Sequence, residues 1–276
     1  MNNLDLTIAI GIGDNLIVKM FLDPVKFMYD RITISHSKRV IDIYRNGDPI
    51  YSKFIYDIGK MIFTGDPYVF LPPRNRENDN LEKLIPALNN APSKSDLDKV
   101  FCKGTSLNLD EEYIVITTKV RIFPRIVFNN ISNDFFSIIR DLSKKYKIVV
   151  LGERKMEVSK EYAPYLSQIF CIYDDIIKNV TKDRILDLTV PALGITVPNI
   201  QQIQQDCLIM KEAKRVVTFG VGGNLWMGAA ASDSIIGFRS DNESAISDTL
   251  ASSPAFQSVL LTKDWNKFSS ELRHTK

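Results

Sequence analysis

A chain of 276 residues with 45% hydrophobic and 25% charged residues has the make-up of an ordinary globular protein, which excludes disordered and fibrous classes. It is long enough for one large domain or for two of roughly 110 to 160 residues. Its 35 Lys and Arg against 33 Asp and Glu leave a net charge of +2, without the basic excess of a nucleic-acid binder, so any anion site has to be local.

Three widely separated cysteines, Cys102, Cys171 and Cys207, with no CxxC, argue against a disulfide framework and for a reducing, cytoplasmic setting. With His36 and His274 as the only histidines, a histidine-rich metal site is not expected, and a carboxylate is the expected base. The N-terminus lacks a basic stretch ahead of its apolar run, and Asp5 and Asp14 interrupt that run, so it does not read as a secretory signal. The longest uncharged stretches, Leu188 to Gln205 and Val216 to Ser232, carry prolines and glutamines or several glycines and predict no membrane span.

In chain order, Leu6 to Ile10 reads as a short buried strand that stops at Gly11-Ile12-Gly13-Asp14 and passes into a helix from Asp14. The glycines let another molecule approach closely, and Asp14 stands where a first strand opens into a cleft. The same aspartate equally suits a plain helix N-cap, and both readings stand on these residues. Ile32 to Ser35, a helical stretch near Lys38 to Tyr44, Tyr51 to Ile62 and an extended Tyr68 to Leu71 continue an alternation that implies a parallel sheet with crossover helices. Pro72 to Asp98, rich in Pro, Asn, Arg and Asp, predicts a long surface loop or insertion, and its Asp96-Leu97-Asp98 reads as a solvated helix start rather than a metal-binding pair.

A second α/β unit begins at Tyr113-Ile114-Val115-Ile116, which sets the expected boundary near residue 108 and divides the chain into 1–108 and 109–276. Phe135, Phe136, Ile138, Ile139 and Leu142 follow at helical spacing behind an Asn133 cap, and Ile148 to Leu151 reads as a buried strand ending at Gly152. A helix over Ile200 to Ala213, a strand over Arg215 to Phe219, a glycine-started helix over Gly222 to Ala231 and a strand over Ser234 to Phe238 come next. The polar Ser240 to Ser253 precedes a last strand, Ser258 to Thr262, and a terminal helix from Trp265. Two such units with a glycine turn in each predict an α/β fold of two facing Rossmann-like domains, with the ligand in the cleft between them.

Gly11-Ile12-Gly13 and Gly220-Val221-Gly222 open a dinucleotide fingerprint, but its third glycine falls at Leu16 and Leu225, and there is no P-loop pattern. Gly222-Gly223-Asn224 offers free N–H groups and the positive end of a helix dipole to a phosphate, or serves only the close packing of a helix whose Gly228 to Ala231 run is small.

Gly11-Ile12-Gly13-Asp14, Thr117-Thr118-Lys119, Leu151-Gly152-Glu153, Asp187-Leu188-Thr189 and Phe219 to Ala230 follow one another in the order seen in the ADP-heptose:lipopolysaccharide heptosyltransferases. The chain resembles a compact relative of that GT-B glycosyltransferase family over nearly its whole length. By position, the resemblance implies Asp14 as catalytic base, carried by the Gly11 and Gly13 turn on the acceptor side. It implies Thr117, Thr118, Lys119 and Arg121 along the donor's phosphates, Glu153 at its ribose, and Asp187 and Leu188 beside the nucleotide base. Gly222, Gly223 and Asn224 fall where the family holds donor sugar and phosphates. Where the family reads Asp-[Ser/Thr]-Gly-x-x-His, this chain has Val221-Gly222-Gly223-Asn224-Leu225-Trp226, and Val190 to Pro198 is inserted after the Asp187 motif. On the residues alone, Lys119 and Arg121 also read as ordinary surface charges after a strand.

The expectation is thus a metal-independent, inverting glycosyltransferase that needs no cofactor. It moves a sugar from a nucleotide diphosphate donor to a hydroxyl of a glycan or glycolipid, with an acceptor domain over 1–108 and a donor domain over 109–276, and has no nucleic-acid partner. The missing Asp and His of the late motif motivate an alternative from another class, a catalytically inactive nucleotide-sugar-binding interaction module. A sugar-nucleotide epimerase is disfavoured by the incomplete fingerprint.

Overall fold

The computed structural model describes residues 2–8, 11–23, 25–38, 49–77, 102–121, 123–155, 169–191, 200–220, 222–240 and 259–275. The expected helix near Lys38 to Tyr44 (beyond residue 38), the Asp96-Leu97-Asp98 segment, nearly all of the Val190 to Pro198 insertion and nearly all of the polar Ser240 to Ser253 lie outside them.

Strands β1 (Asn3–Ile8), β2 (Arg31–Ser37) and β3 (Tyr68–Arg74) form a three-stranded parallel sheet in that order. Pro72 and Pro73 therefore belong to a strand rather than to the expected loop, which the ladder tolerates because β3 is an edge. Helix α1 (Ile12–Leu22) follows β1, and α2 (Pro49–Ile62) leads to β3. Apart from Ile17, α1 is buried from Asn15 to Leu22, the mark of a helix enclosed by the fold rather than laid on its surface. Its last turn is tied down by polar groups. Lys19 pairs with Asp23 and lies 4.1 Å over the ring of Tyr68, whose hydroxyl donates to Asp23 Oδ1 at 2.8 Å. Burial, and then the charge of Asp23, push the Tyr68 hydroxyl far above its ordinary range.

The second sheet contains β4 (Tyr113–Thr117), β6 (Lys147–Leu151), β8 (Ile185–Asp187), β9 (Arg215–Phe219), β10 (Ile235–Phe238) and β11 (Val259–Thr262), in the order β11-β10-β9-β4-β6-β8 with every pair parallel. Beside it, β5 (Lys119–Arg121) pairs antiparallel with β7 (Ile169–Cys171), so Lys119 and Arg121 stand in a short strand of their own rather than in a loop. Helices α3 (Arg125–Leu142), α4 (Tyr173–Asn179), α5 (Ile200–Glu212), α6 (Gly223–Ala231) and α7 (Trp265–Arg273) complete the unit. The start of α3 corrects the Asn133 cap. The helix begins two turns earlier, behind Pro124, because Phe128 continues the buried aromatic face of Phe135 and Phe136.

Strand alternation divides the apolar residues of this sheet between two faces. Ile114, Ile116, Ile148, Val150, Val217 and Ile236 face α3 and α7. Val115, Val149, Val216 and Ile235 face the other way, into a core that also holds Leu16, Val18 and Phe21 of α1 and Ile32 and Ile34 of β2. One core thus runs from the three-stranded sheet through α1 and α6 to the six-stranded sheet. The small residues of α6 are needed there, since a Cβ at Gly228 would fall 2.4 Å from Ile235 Cδ1.

At the end of β2, His36 takes the position after Ile32 and Ile34 on the core face and is fully buried. Burial lowers its pKa to about 4. Between pH 6.5 and about 4 the unfolded chain takes up a proton that the folded chain refuses, so this contribution, about 3 kcal/mol in full, is present above pH 6.5 and lost on acidification. Asp206, pushed by burial up to about 6, titrates in the opposite sense. The His36 contribution is therefore read as a difference: from pH 7 to pH 4.5, His36→Gln should lose less stability in urea unfolding than the wild type. Parallel pH profiles for the two proteins would refute the assignment.

Candidate functional site

The order of the six-stranded sheet reverses at its middle. From β4 the chain moves outward to β6 and β8 on one side, then returns to build β9, β10 and β11 on the other. A crevice opens at the carboxyl ends of strands where a parallel sheet reverses in this way, because the crossovers depart in opposite directions. The residues that meet at this end of β4, β6 and β9 are Thr117-Thr118, Gly152, Gly220 and Gly222 to Asn224.

Their approach is close. Gly152 has φ +106°, and a Cβ there would fall 2.7 Å from Thr118 Oγ1 and 3.8 Å from Asn224 Nδ2, so the position requires glycine on both counts. Thr118 is fully buried and fully engaged. Its N–H donates to Leu151 O (2.9 Å), its hydroxyl to Glu153 O (2.6 Å), and its carbonyl accepts from Ile172 N (2.9 Å). Thr117 is buried beside β9, with Oγ1 3.5 Å from Val217 O. Both threonines are buried at the carboxyl end of β4.

Lys119 Nζ donates to Glu153 Oε1 at 2.9 Å, and the glutamate side chain is only 4% exposed against 29% for the lysine. The two residues expected at the donor's phosphate and ribose thus form an ion pair with each other. Asp187 is more heavily committed still: it accepts from Thr189 N (3.0 Å), Tyr173 Oη (2.7 Å) and Arg154 Nη2 (3.1 Å), as well as from the Thr189 hydroxyl. Burial raises the pKa of this carboxyl, but the hydrogen bonds from Thr189 and Tyr173 and the Arg154 charge outweigh that and hold it below the usual carboxylate range. Leu188 donates its N–H to Val150 O at 3.1 Å, extending the β6–β8 pairing. Of Arg121 only the backbone belongs to the described residues.

The Gly11 turn of the first sheet packs against the start of α6. Gly11 is the N-cap of α1, with φ −105° and ψ 156°, and Asp14 lies inside the first turn, so the plain N-cap reading of Asp14 does not hold. Its carboxylate folds back over Gly11, where a Cβ would meet Oδ2 at 2.4 Å. A Cβ at Gly13 would fall 2.9 Å from Trp226 Cδ1 and 3.4 Å from Gly223 Cα, so the glycine turns of the two sheets touch. Gly222 caps α6 as Gly11 caps α1, neither with a side chain, so the positive ends of two helix dipoles stand at adjoining turns.

Sequence reading missed several residues here. Asn15 and His36 support the Gly11 turn, and Arg154 and Tyr173 surround Asp187. Arg239, 7% exposed, follows β10 at the same end of the sheet as Gly220. A buried polar residue inside an apolar helix and a charge ending an apolar strand were the available signals, and neither specifies a partner.

No family model and no curated protein matches the chain. Among solved structures it is similar to ADP-heptose lipopolysaccharide heptosyltransferase II of E. coli, with 10% identity over 95% of this chain and 90% of that one and a TM-score of 0.48. It is also similar to a family 9 glycosyl transferase from Veillonella parvula DSM 2008, at 8% identity over 100% and 92% of the two chains and a TM-score of 0.45. The iron-containing dodecameric glycosyltransferase TibC from enterotoxigenic E. coli H10407 matches at 13% identity over 86% of this chain and 58% of that one, again with a TM-score of 0.45.

Proposed function

We propose that the chain is a glycosyltransferase of GT-B type that transfers a sugar from a nucleoside diphosphate donor to a hydroxyl of a glycan or glycolipid, inverting the anomeric carbon without a metal ion. The observation that carries this reading is the contact of Gly13 with Gly223 beside the strand-order reversal. It brings a carboxylate-bearing turn against a helix N-terminus suited to a diphosphate. Asp14 takes the proton of the acceptor hydroxyl as that oxygen forms its bond to the anomeric carbon. The bond from that carbon to the diphosphate breaks on the opposite face, and a single displacement of this kind inverts the centre. Charge on the departing diphosphate is met by Lys119 and by the N–H groups at the start of α6.

Metal independence is proposed because these donors can do the work of a cation. The finer assignment, an acceptor domain over 1–108 and a donor domain over 109–276, belongs to the same proposal. So do the cytoplasmic setting, the absence of a cofactor and of a nucleic-acid partner, and the donor-side roles of Arg121, Glu153, Asp187 and Leu188. A second reading, nucleotide-sugar binding without transfer, draws on Trp226. It stands at the histidine of the family motif and is 5% exposed against Gly13, a packing role rather than a chemical one.

Asp14→Asn should lower turnover by about 10² to 10⁴ with donor affinity nearly intact, since a general base contributes on that scale and asparagine keeps the size of the side chain. Near wild-type turnover would place the base elsewhere. Because Glu153 is buried, Lys119→Ala should destabilise the fold by about 3 kcal/mol as well as weaken donor binding. Combining it with Glu153→Gln should restore stability but leave nucleoside diphosphate affinity low by calorimetry. Recovery of affinity along with stability would remove Lys119 from the phosphate site. Turnover should persist in excess EDTA; abolition by the chelator with recovery on Mg²⁺, Mn²⁺ or Fe²⁺ would end the metal-free mechanism.

A further inference from the structure

A glycine turn is only as well fixed as the bonds made to it, because glycine adopts many backbone conformations at little cost. The Gly11-Ile12-Gly13-Asp14 turn carries a carboxylate, and its helix has no side-chain cap. A buried polar chain holds it instead. Gly11 O accepts from Asn15 N at 3.2 Å and again from Asn15 Nδ2 at 2.7 Å. With its amide nitrogen committed, Asn15 turns Oδ1 to His36 Nε2 at 3.0 Å. That contact is a hydrogen bond only if Nε2 carries the proton, which makes His36 the neutral Nε2–H tautomer and leaves Nδ1 a buried acceptor with no hydrogen-bond partner among the described residues. Phe70 meets the imidazole edge-on at 5.1 Å, and Gly59 leaves the room: a Cβ there would fall 2.4 Å from Phe70 Cζ and 3.0 Å from Asn15 Oδ1.

Asn15 and His36 are both fully buried amid apolar neighbours, where an unmet acceptor is unfavourable and aliphatic side chains would pack without that penalty. What the chain achieves is a fixed peptide at Gly11, three residues ahead of Asp14. We propose that Asn15 and His36 are positioning residues for Asp14, holding the Gly11 carbonyl so that the carboxylate keeps its place over the glycine turn. This rests on the reading of Asp14 as the base. Neither residue touches substrate.

The test compares wild type, Asp14→Asn, Asn15→Leu, His36→Leu and His36→Gln in full-length protein, with donor and acceptor kinetics, thermal unfolding and amide hydrogen exchange of the peptide spanning the turn. Asn15→Leu and His36→Leu should lower kcat by about tenfold to a hundredfold, the scale for a displaced reacting group. Donor KM should stay within about twofold, and exchange at the turn should quicken. His36→Gln retains a donor near the Nε2 position and should recover kcat to within about threefold of wild type, which a loss of stability alone does not predict. Wild-type kcat in folded Asn15→Leu or His36→Leu overturns the proposal, as does a glutamine variant no better than leucine. If Asn15→Leu does not fold, the His36 pair decides. If the wild type transfers no sugar, or Asp14→Asn is fully active, the functional reading fails on its own account. Unchanged exchange at the turn in the leucine variants would then reject the positioning chain as well.

Discussion

The close packing of α1 against α6 is the constraint from which the rest of the site follows. Both helices lie between two sheets, and both are apolar around most of their circumference, so each must bury more than one face. Two such helices approach closely only where side chains are missing, and the contacts fall at Gly13 against Gly223 and Trp226, and at Gly228 against the sheet. Because each helix begins at the carboxyl end of a parallel strand, this packing also sets their N-termini side by side. A contact required by the core thus also brings the positive ends of two helix dipoles together.

Around that contact, much of the charge is already paired before any ligand arrives. Lys119 and Glu153 neutralise one another, and Asp187 is satisfied by Thr189, Tyr173 and Arg154. An ion pair with one buried member adds little net stability, yet removing either partner is costly because the other is left uncompensated. Such pairs fix geometry. Glu153 fixes the ammonium of Lys119, and Thr189, Tyr173 and Arg154 fix the carboxylate of Asp187. Asp14 lies in the first turn of α1, with its carboxylate folded back over Gly11.

Much of the fold was legible because local patterns coincide with what the core requires. The strands at Tyr113, Lys147 and Arg215, the glycine-started α6 and the terminal helix fall where apolar periodicity and turn residues put them. The corrections have physical causes. The two prolines at the end of β3 are tolerated only because that strand is an edge, and α3 extends back to Arg125 because Phe128 joins an aromatic cluster whose partners are distant in sequence. Asp14 was placed at a cleft-facing turn from sequence, but whether it caps the helix turned on one backbone geometry, that of Gly11.

The sequence by itself determined the strand-turn-helix units, their glycine turns and the residue types available for chemistry: one well-placed carboxylate, a few basic groups and almost no histidine. These are properties of short windows, fixed by local sterics and by apolar period. Only the tertiary structure decided that the Gly11 and Gly223 turns meet, that Lys119 and Glu153 pair, and that His36 reaches the Gly11 carbonyl through Asn15. Each joins residues that no local window contains, and each depends on the order in which parallel strands assemble, which long-range burial dictates and no single segment encodes.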